Sequence, residues 1–230
     1  MLRHPHVRRL DTEEIEVGMS SSLRSLARRR TLACAVPLLA AAVAVPAAAQ
    51  PVTSLLELRQ EGVVTQEWDL SCGAAALTTV LKYQFGEAVT ERDVATTLMN
   101  REEYLDNPDV VRAREGFSLL DLKRLVDDRG YEGVGFGRLS LDDLLTRVPA
   151  IVPISTHGYN HFVVVRGMVG NRVLMADPAW GNRTMTADDF ERAWIDYGDV
   201  GHVAFVVTRA GELAPPGDLA PDLRHVLTFN

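Results

Sequence analysis

Cysteine is scarce in this chain. Its 230 residues hold two, Cys34 and Cys72, too few for the disulfide framework that stabilises small exported domains. With His157, His161, His202 and His225 they form no zinc-ligand spacing, so no metal and no other cofactor is expected. There is no GxxxxGK[ST] run, which argues against a P-loop and ATP, and there is no internal repeat. Basic tracts are missing beyond the N-terminus. The chain carries 24 Lys/Arg and 31 Asp/Glu; 7 and 4 of these fall in residues 1–49, leaving 17 against 27. An acidic body of that kind is a poor partner for nucleic acid or an anionic membrane surface. The remaining balance, 47% hydrophobic and 24% charged, suits one medium globular domain.

One long apolar run is present. Residues 23–30, LRSLARRR, are basic; residues 31–49, TLACAVPLLAAAVAVPAAA, are uncharged; Gln50-Pro51 then ends the run. Ala47-Ala48-Ala49 fits the small-x-small cleavage pattern, so a signal peptide cut after Ala49 is expected, with Met19 as a conventional start. The alternative is an uncleaved N-terminal anchor, since the stretch is long enough to span a bilayer. Either way the protein is expected to be exported, to the periplasm or cell envelope. Cys72 is then the one cysteine of the mature chain: a structural core residue, an interchain partner or a reactive thiol.

The pattern along the body divides in two. Cys72–Tyr83 has apolar residues at helical spacing. Thr90, Ser118 and Ser140 each precede a further helical stretch, and the polar segment 100–116 reads as a loop or irregular helical insertion. From Ala150 on, AIVPIS (150–155), HFVVVRGM (161–168), RVLMAD (172–177) and HVAFVV (202–207) read as strands, with Gly170-Asn171 as a hairpin turn. The expected fold is α+β, N-terminal helices packed on a C-terminal antiparallel sheet. The division is 1–49 as extension and signal, 50–208 as the domain, and 209–230 as a Pro-rich surface tail.

The position of Cys72 favours chemistry. At the start of a helix its sulfur sits beside unpaired backbone N–H groups and the positive end of the helix dipole, both of which favour thiolate. His161, at the head of an apolar strand, is a candidate base; His157 competes from the loop before it. Asp177 ends the next strand, and a turn at Gly170-Asn171 brings it back beside His161, where its carboxylate could orient the imidazole. On its own Asp177-Pro178 reads first as a turn starter. Gln66, six residues before Cys72, could supply an amide to an oxyanion.

Together QEWDLSCGAAAL (66–77), NHFVVV (160–165) and DPAWG (177–181) resemble peptidase family C39, the double-glycine or bacteriocin-processing cysteine peptidases. GFSLLDLKRL (116–125) looks like the family's intervening segment, and the resemblance covers about residues 60–208. It implies a papain-like fold, with Cys72 as nucleophile, His161 as general base and acid, Asp177 as orienting acid and Gln66 as oxyanion-hole donor. It implies cleavage of a peptide or protein precursor after a Gly-Gly-type pair. Many members are parts of ABC exporters; this chain resembles the stand-alone exported members, some of which accompany fibre-secretion systems. Ser71 stands where the family often has Asp. Two other readings share these residues: a non-catalytic peptide-binding module, and another papain-like amide hydrolase or acyl transferase. Trp180 and the 100–116 segment are candidate contacts for a long peptide.

Overall fold

The computed structural model describes residues 53–107, 109–113, 116–209, 217–221 and 223–224. The expected cleavage site after Ala49 and the apolar run before it lie outside them. Within the described residues, six helices precede the first strand: α1 (Leu55–Gln60), α2 (Cys72–Phe85), α3 (Glu91–Met99), α4 (Glu102–Asp106), α5 (Asp109–Ala113) and α6 (Leu119–Asp128). Then come β1 (Tyr131–Phe136), α7 (Leu141–Leu145), β2 (Ala150–Thr156), β3 (Tyr159–Val169), β4 (Arg172–Asp177), β5 (Gly181–Thr186), α8 (Ala187–Ala193) and β6 (Ala204–Arg209). The strands form one antiparallel sheet in the order β1-β6-β2-β3-β4-β5.

Helix starts follow the expected chemistry. Ser54, Thr90, Ser118 and Ser140 each accept from the N3 backbone N–H while the N3 carboxylate reaches back to the cap. Each such cap typically stabilises a helix by about 1 kcal/mol. The central helix α2 is apolar on almost every side, with Ala74, Ala75, Ala76, Leu77, Val80 and Leu81 all buried. Its small residues let it lie close to β3; a Cβ on Gly73 would already touch the Phe162 ring at 3.4 Å. Leu77 and Leu81, with Leu98, Leu122, Ile151, Val164 and Phe205, form the core between α2, α3, α6 and the sheet. Burying one such side chain contributes about 1.5–3 kcal/mol.

The sheet is covered on both faces, where the sequence reading placed helices on one. Leu144 of α7, Phe190 of α8 and Trp194 pack against Val152, Val163, Val165 and Met175 on the side away from α2. Two strands, β1 and β5, extend the sheet beyond the four runs expected. Within the stretch expected as a surface tail, the described residues 218–220 pack on the body. Leu219 is buried, and the carbonyls of Asp218, Leu219 and Ala220 accept hydrogen bonds from the buried guanidinium of Arg166. The same guanidinium donates to Asn182 Oδ1, and Asn182 Nδ2 donates to the Leu58 and Glu61 carbonyls. One network therefore ties α1 and residues 218–220 to the sheet. At Gly181 the chain takes φ +79°, and a Cβ there would lie 2.4 Å from the Arg59 carbonyl oxygen, so only glycine lets α1 close on β5.

Candidate active site

Cys72 is the first residue of α2, as the helical spacing predicts. Ser71 precedes it at the cap position, yet its hydroxyl makes no cap bond to the helix. That hydroxyl lies 2.5 Å from Glu91 Oε1 and 2.7 Å from the Trp68 carbonyl. Glu91, buried at the start of α3, also accepts the Glu67 N–H at 2.8 Å. The loop 66–71 is thus held by a carboxylate from a neighbouring helix, and the first N–H groups of α2 are left without a side-chain cap. Leu70 takes φ +67° in this loop, and Gly116 closes on its carbonyl; a Cβ on Gly116 would lie 2.9 Å away.

His161 and Asp177 meet at the rim of β3 and β4. The last registered pair is Val164 with Ala176, so Asp177 falls level with Val163 and reaches His161 on the diagonal. A bulge between Val165 and Gly167 sets this register, so the two are diagonal neighbours rather than directly opposed. His161 also stands two residues inside β3, which begins at Tyr159. Its Nε2 lies 3.1 Å from Asp177 Oδ2. Asp177 is fully buried; its Oδ1 accepts the Ala179 N–H at 2.8 Å, and Arg183 Nε stands 2.7 Å from Oδ2 as a charge contact out of hydrogen-bonding line. Burial pushes the Asp177 carboxyl up, but the hydrogen bond from His161 and the charge of Arg183 outweigh it and hold the group below the usual carboxylate range. An ionised carboxylate only accepts, so His161 Nε2 carries the proton. The lone pair then sits on Nδ1, which is buried and has no hydrogen-bond partner among the described residues.

Cys72 and His161 line one cavity of about 500 Å³, together with Phe117, Leu119, Pro153 and Tyr197. The thiol is free and buried. Burial pushes it above the usual cysteine value, and the Asp177 charge adds to that. The backbone N–H groups of Phe162, Gly73 and Cys72 itself pull it down by less. The helix start therefore does favour the thiolate, but desolvation wins over it in the resting molecule. A larger cavity of about 580 Å³, lined by Trp68, Met99 and Phe117 among others, has neither Cys72 nor His161 in its lining.

Gln66 is brought to the same place. Its backbone N–H donates to the Pro178 carbonyl at 2.9 Å, beside Asp177, and its Nε2 donates to the Trp68 carbonyl at 3.1 Å. The competing His157 occupies the exposed turn between β2 and β3 at φ +54°. Among the described residues no cluster of His, Cys, Asp or Glu could hold a metal ion. No described helix is long and apolar enough to cross a membrane. Three neighbours escaped the sequence reading. Tyr159 stacks on His161 with ring centroids 5.1 Å apart. Burial raises its hydroxyl pKa, the Cys72 charge adds to this, and a hydrogen bond with Gln66 partly offsets it. Its position two residues before His161 on a strand is a period-2 signal. Arg183 gave no signal, because β5 reads as polar, and nothing local to Glu91 marks the loop it holds.

A profile of the Peptidase C39 family matches residues 60–198. The chain belongs to the peptidase C39 family. Over these residues it is a cysteine-peptidase domain by descent. It is 35% identical over 143 residues to the probable functional amyloid protease FapD of Pseudomonas aeruginosa, covering 62% of this chain and 61% of that one. It is 37% identical over 145 residues to FapD of Pseudomonas fluorescens, with the same shares. The chain thus spans about 61% of the length of these relatives. A more distant C39 likeness, 26% identical, is to the lactococcin-G-processing and transport ATP-binding protein LagD of Lactococcus lactis, over 57% of this chain and 17% of that one. Among solved structures, a double-glycine-motif protease from an AMS/PCAT transporter, in complex with its leader peptide, superposes with TM-score 0.51 at 23% identity, over 64% of this chain and 90% of that one. The peptidase domain of Streptococcus ComA, a bifunctional ABC transporter, gives 0.50 at 18%, over 65% and 99%. The papain-like helix-and-sheet fold expected of a C39 member is the fold these domains share.

Proposed function

We propose that this protein is a cysteine endopeptidase acting on an exported peptide or protein precursor, cutting after a Gly-Gly-type pair. Cys72 is the nucleophile, His161 the base and then the acid, Asp177 the group that orients and stabilises the imidazolium, and Gln66 an oxyanion donor. Substrate binding brings the peptide carbonyl to Sγ. The thiol proton passes to Nδ1 of His161 as Sγ bonds to the carbonyl carbon. The oxyanion is met by the Cys72 N–H and by the Gln66 amide, which at rest serves the Trp68 carbonyl and Tyr159 and turns to the oxyanion as it forms. Collapse breaks the C–N bond, and the imidazolium gives its proton to the leaving amine. Water, deprotonated by the same imidazole, then releases the acyl group from sulfur.

One observation carries this reading: a buried imidazole nitrogen with no partner, on a ring whose other nitrogen is fixed by a carboxylate, in the cavity that holds a free thiol. A structural histidine in a core is normally satisfied at both nitrogens. The Gly-Gly preference is supported by family membership and by the mostly apolar, uncharged lining beside Cys72. Action in the cell envelope, with a fibre-secretion partner, is supported by the apolar N-terminal run and by likeness to FapD proteases.

The test is iodoacetamide labelling of the purified protein across a pH series, with the site located by peptide mass spectrometry. A peptide containing Gly-Gly is digested in parallel. Cys72 labels faster in the parent than in His161→Ala across the series, because the imidazole takes the thiol proton as sulfur reacts; the peptide is cut after the pair, and His161→Ala does not cut it. If His161→Ala leaves the labelling rate unchanged and the peptide is bound but uncut, the protein is a binding module. Cleavage at amides of unrelated sequence would point to the broader hydrolase.

A further inference from the structure

Two cavities share the imidazole of His161. Cys72 lines one of them; the other, of about 440 Å³, is lined by Arg59, Arg183, His157, Tyr159 and Trp180. We infer that this second cavity receives the residues that follow the cut bond and selects an acidic segment there. The inference rests on the proposed peptidase reading and adds a subsite to it.

The assignment of sides follows from the chemistry. The acyl part of the substrate stays bonded to Sγ, so it occupies the cavity that the thiol lines. The departing amine takes its proton from His161, so the chain beyond the bond must leave past the imidazole. The cavity that the imidazole lines and the thiol does not is the place for it.

The selection follows from the lining. The acyl-side cavity is lined by no Lys, Arg, Asp or Glu. The leaving-side cavity is lined by two arginines and two histidines, His157 and the shared His161, with no carboxylate among its lining residues, on a chain where acids outnumber bases. Asp177 lies behind Arg183, 2.7 Å from its Nε, and offsets part of that charge; Arg183 Nη2 has no hydrogen-bond partner among the described residues. Arg59 is set at the cavity by the close approach of α1 to β5 at Gly181. Trp180, 67% exposed, and Tyr159, 43% exposed, supply flat apolar walls beside the charges. Such a site suits a short extended segment with Asp or Glu side chains, held by charge and by stacking.

Three quenched fluorescent peptides test this. They are identical through Gly-Gly and continue with Asp-Glu-Asp, Ser-Gly-Ser or Lys-Lys-Lys. The acidic peptide should exceed the lysine peptide in kcat/KM by about tenfold at low salt, the effect expected of two or three partly exposed charge pairs. The ratio should shrink to about twofold near 1 M NaCl, and Arg59→Glu should bring it to about one or below. Fluorescence anisotropy of the same peptides on Cys72→Ala should give the same order of affinity. Equal kcat/KM for all three overturns the subsite and leaves the peptidase standing. A binding preference on Cys72→Ala, with no peptide cut by the parent protein, leaves an acidic-peptide site but overturns the peptidase, and with it the placing of that site after a cut bond. A preference that salt and Arg59→Glu leave untouched also overturns it.

Discussion

Replacing Asp177 with asparagine removes one charge and almost no volume, so its effect can be worked through atom by atom. The carboxylate receives the His161 Nε2 proton on Oδ2 and the Ala179 N–H on Oδ1; an amide has one acceptor to serve both. With its oxygen toward Ala179, its NH2 group faces Nε2, the ring proton must move to Nδ1, and the base is gone. With the amide turned over, His161 keeps its tautomer and the Ala179 N–H faces a donor, at a cost of about 1–3 kcal/mol. The lost charge acts as well. A unit charge about 4 Å from the imidazolium is worth about 4 kcal/mol at an effective dielectric near 20, and Arg183 beside the same oxygen offsets about half. Some 2–3 kcal/mol is then missing when the imidazolium forms, or about 30–150-fold in rate. Asp177→Asn should lower both kcat/KM on a Gly-Gly peptide and the alkylation rate of Cys72 by about that factor at neutral pH. A folded variant within about threefold of the parent in both assays would refute the reasoning, because the Asp177 charge would then not act through His161.

Two further predictions concern the scaffold. Glu91→Ala leaves the Ser71 hydroxyl and the Glu67 N–H without their carboxylate; a urea titration should show a loss of about 2–4 kcal/mol, with Glu91→Gln recovering part of it and kcat falling alongside. Acid stability follows Asp121. Burial pushes its carboxyl up, but Tyr104, Ser118 and Arg101 outweigh that and hold it below the usual range. A carboxylate depressed on folding contributes stability that is fully present above its unfolded value near 3.9 and is lost as pH falls through the folded value. Urea midpoints should therefore be flat above about pH 5 and fall below about pH 4. Asp121→Asn should be less stable at neutral pH with a shallower acid decline; a decline remains, because Asp177 is depressed in the same direction.

Much of the molecule was legible because its signals are local. Cap residues three positions ahead of a carboxylate mark four helix starts, three of them read as helix starts from the sequence, and β-branched runs mark β2, β3 and β4. What was missed is long-range. β1 reads YEGVGF, and its glycines look like breakers; Gly133 is there because a Cβ would lie 2.8 Å from the Phe205 ring and from Val126. β5 is a polar edge strand, GNRTMT, with no hydrophobic alternation to betray it, and Arg183 was missed with it. The turn at Gly170-Asn171 was visible, but the bulge at Arg166 was not, and the bulge puts His161 and Asp177 on a diagonal. Chemistry at Cys72 was legible as position and not as balance: helix-end N–H groups can be read from spacing, whereas the burial that outweighs them belongs to the packed fold.

Ser71 shows how such a balance can be redistributed. Family C39 often carries an acid immediately before the cysteine; here that position has a hydroxyl, and the nearby carboxylate comes from Glu91 on α3. The exchange changes what the loop can do. An Asp at Ser71 would sit at the cap of α2, where carboxylates accept the first N–H groups of a helix. Ser71 instead turns away to Glu91 and the Trp68 carbonyl, so those N–H groups are not consumed by a cap. A cap carboxylate takes the N–H of Gly73 or Ala74 and leaves the Cys72 N–H, the first of the helix, for the proposed oxyanion. Ser71→Asp should therefore act on the thiol and not on the oxyanion: in a variant that still folds, Cys72 alkylation slows, because the added charge disfavours thiolate and the cap competes for the Gly73 N–H that now favours it, while kcat and KM change little. A large fall in kcat with the alkylation rate preserved would mean that the helix start must stay uncapped for the oxyanion.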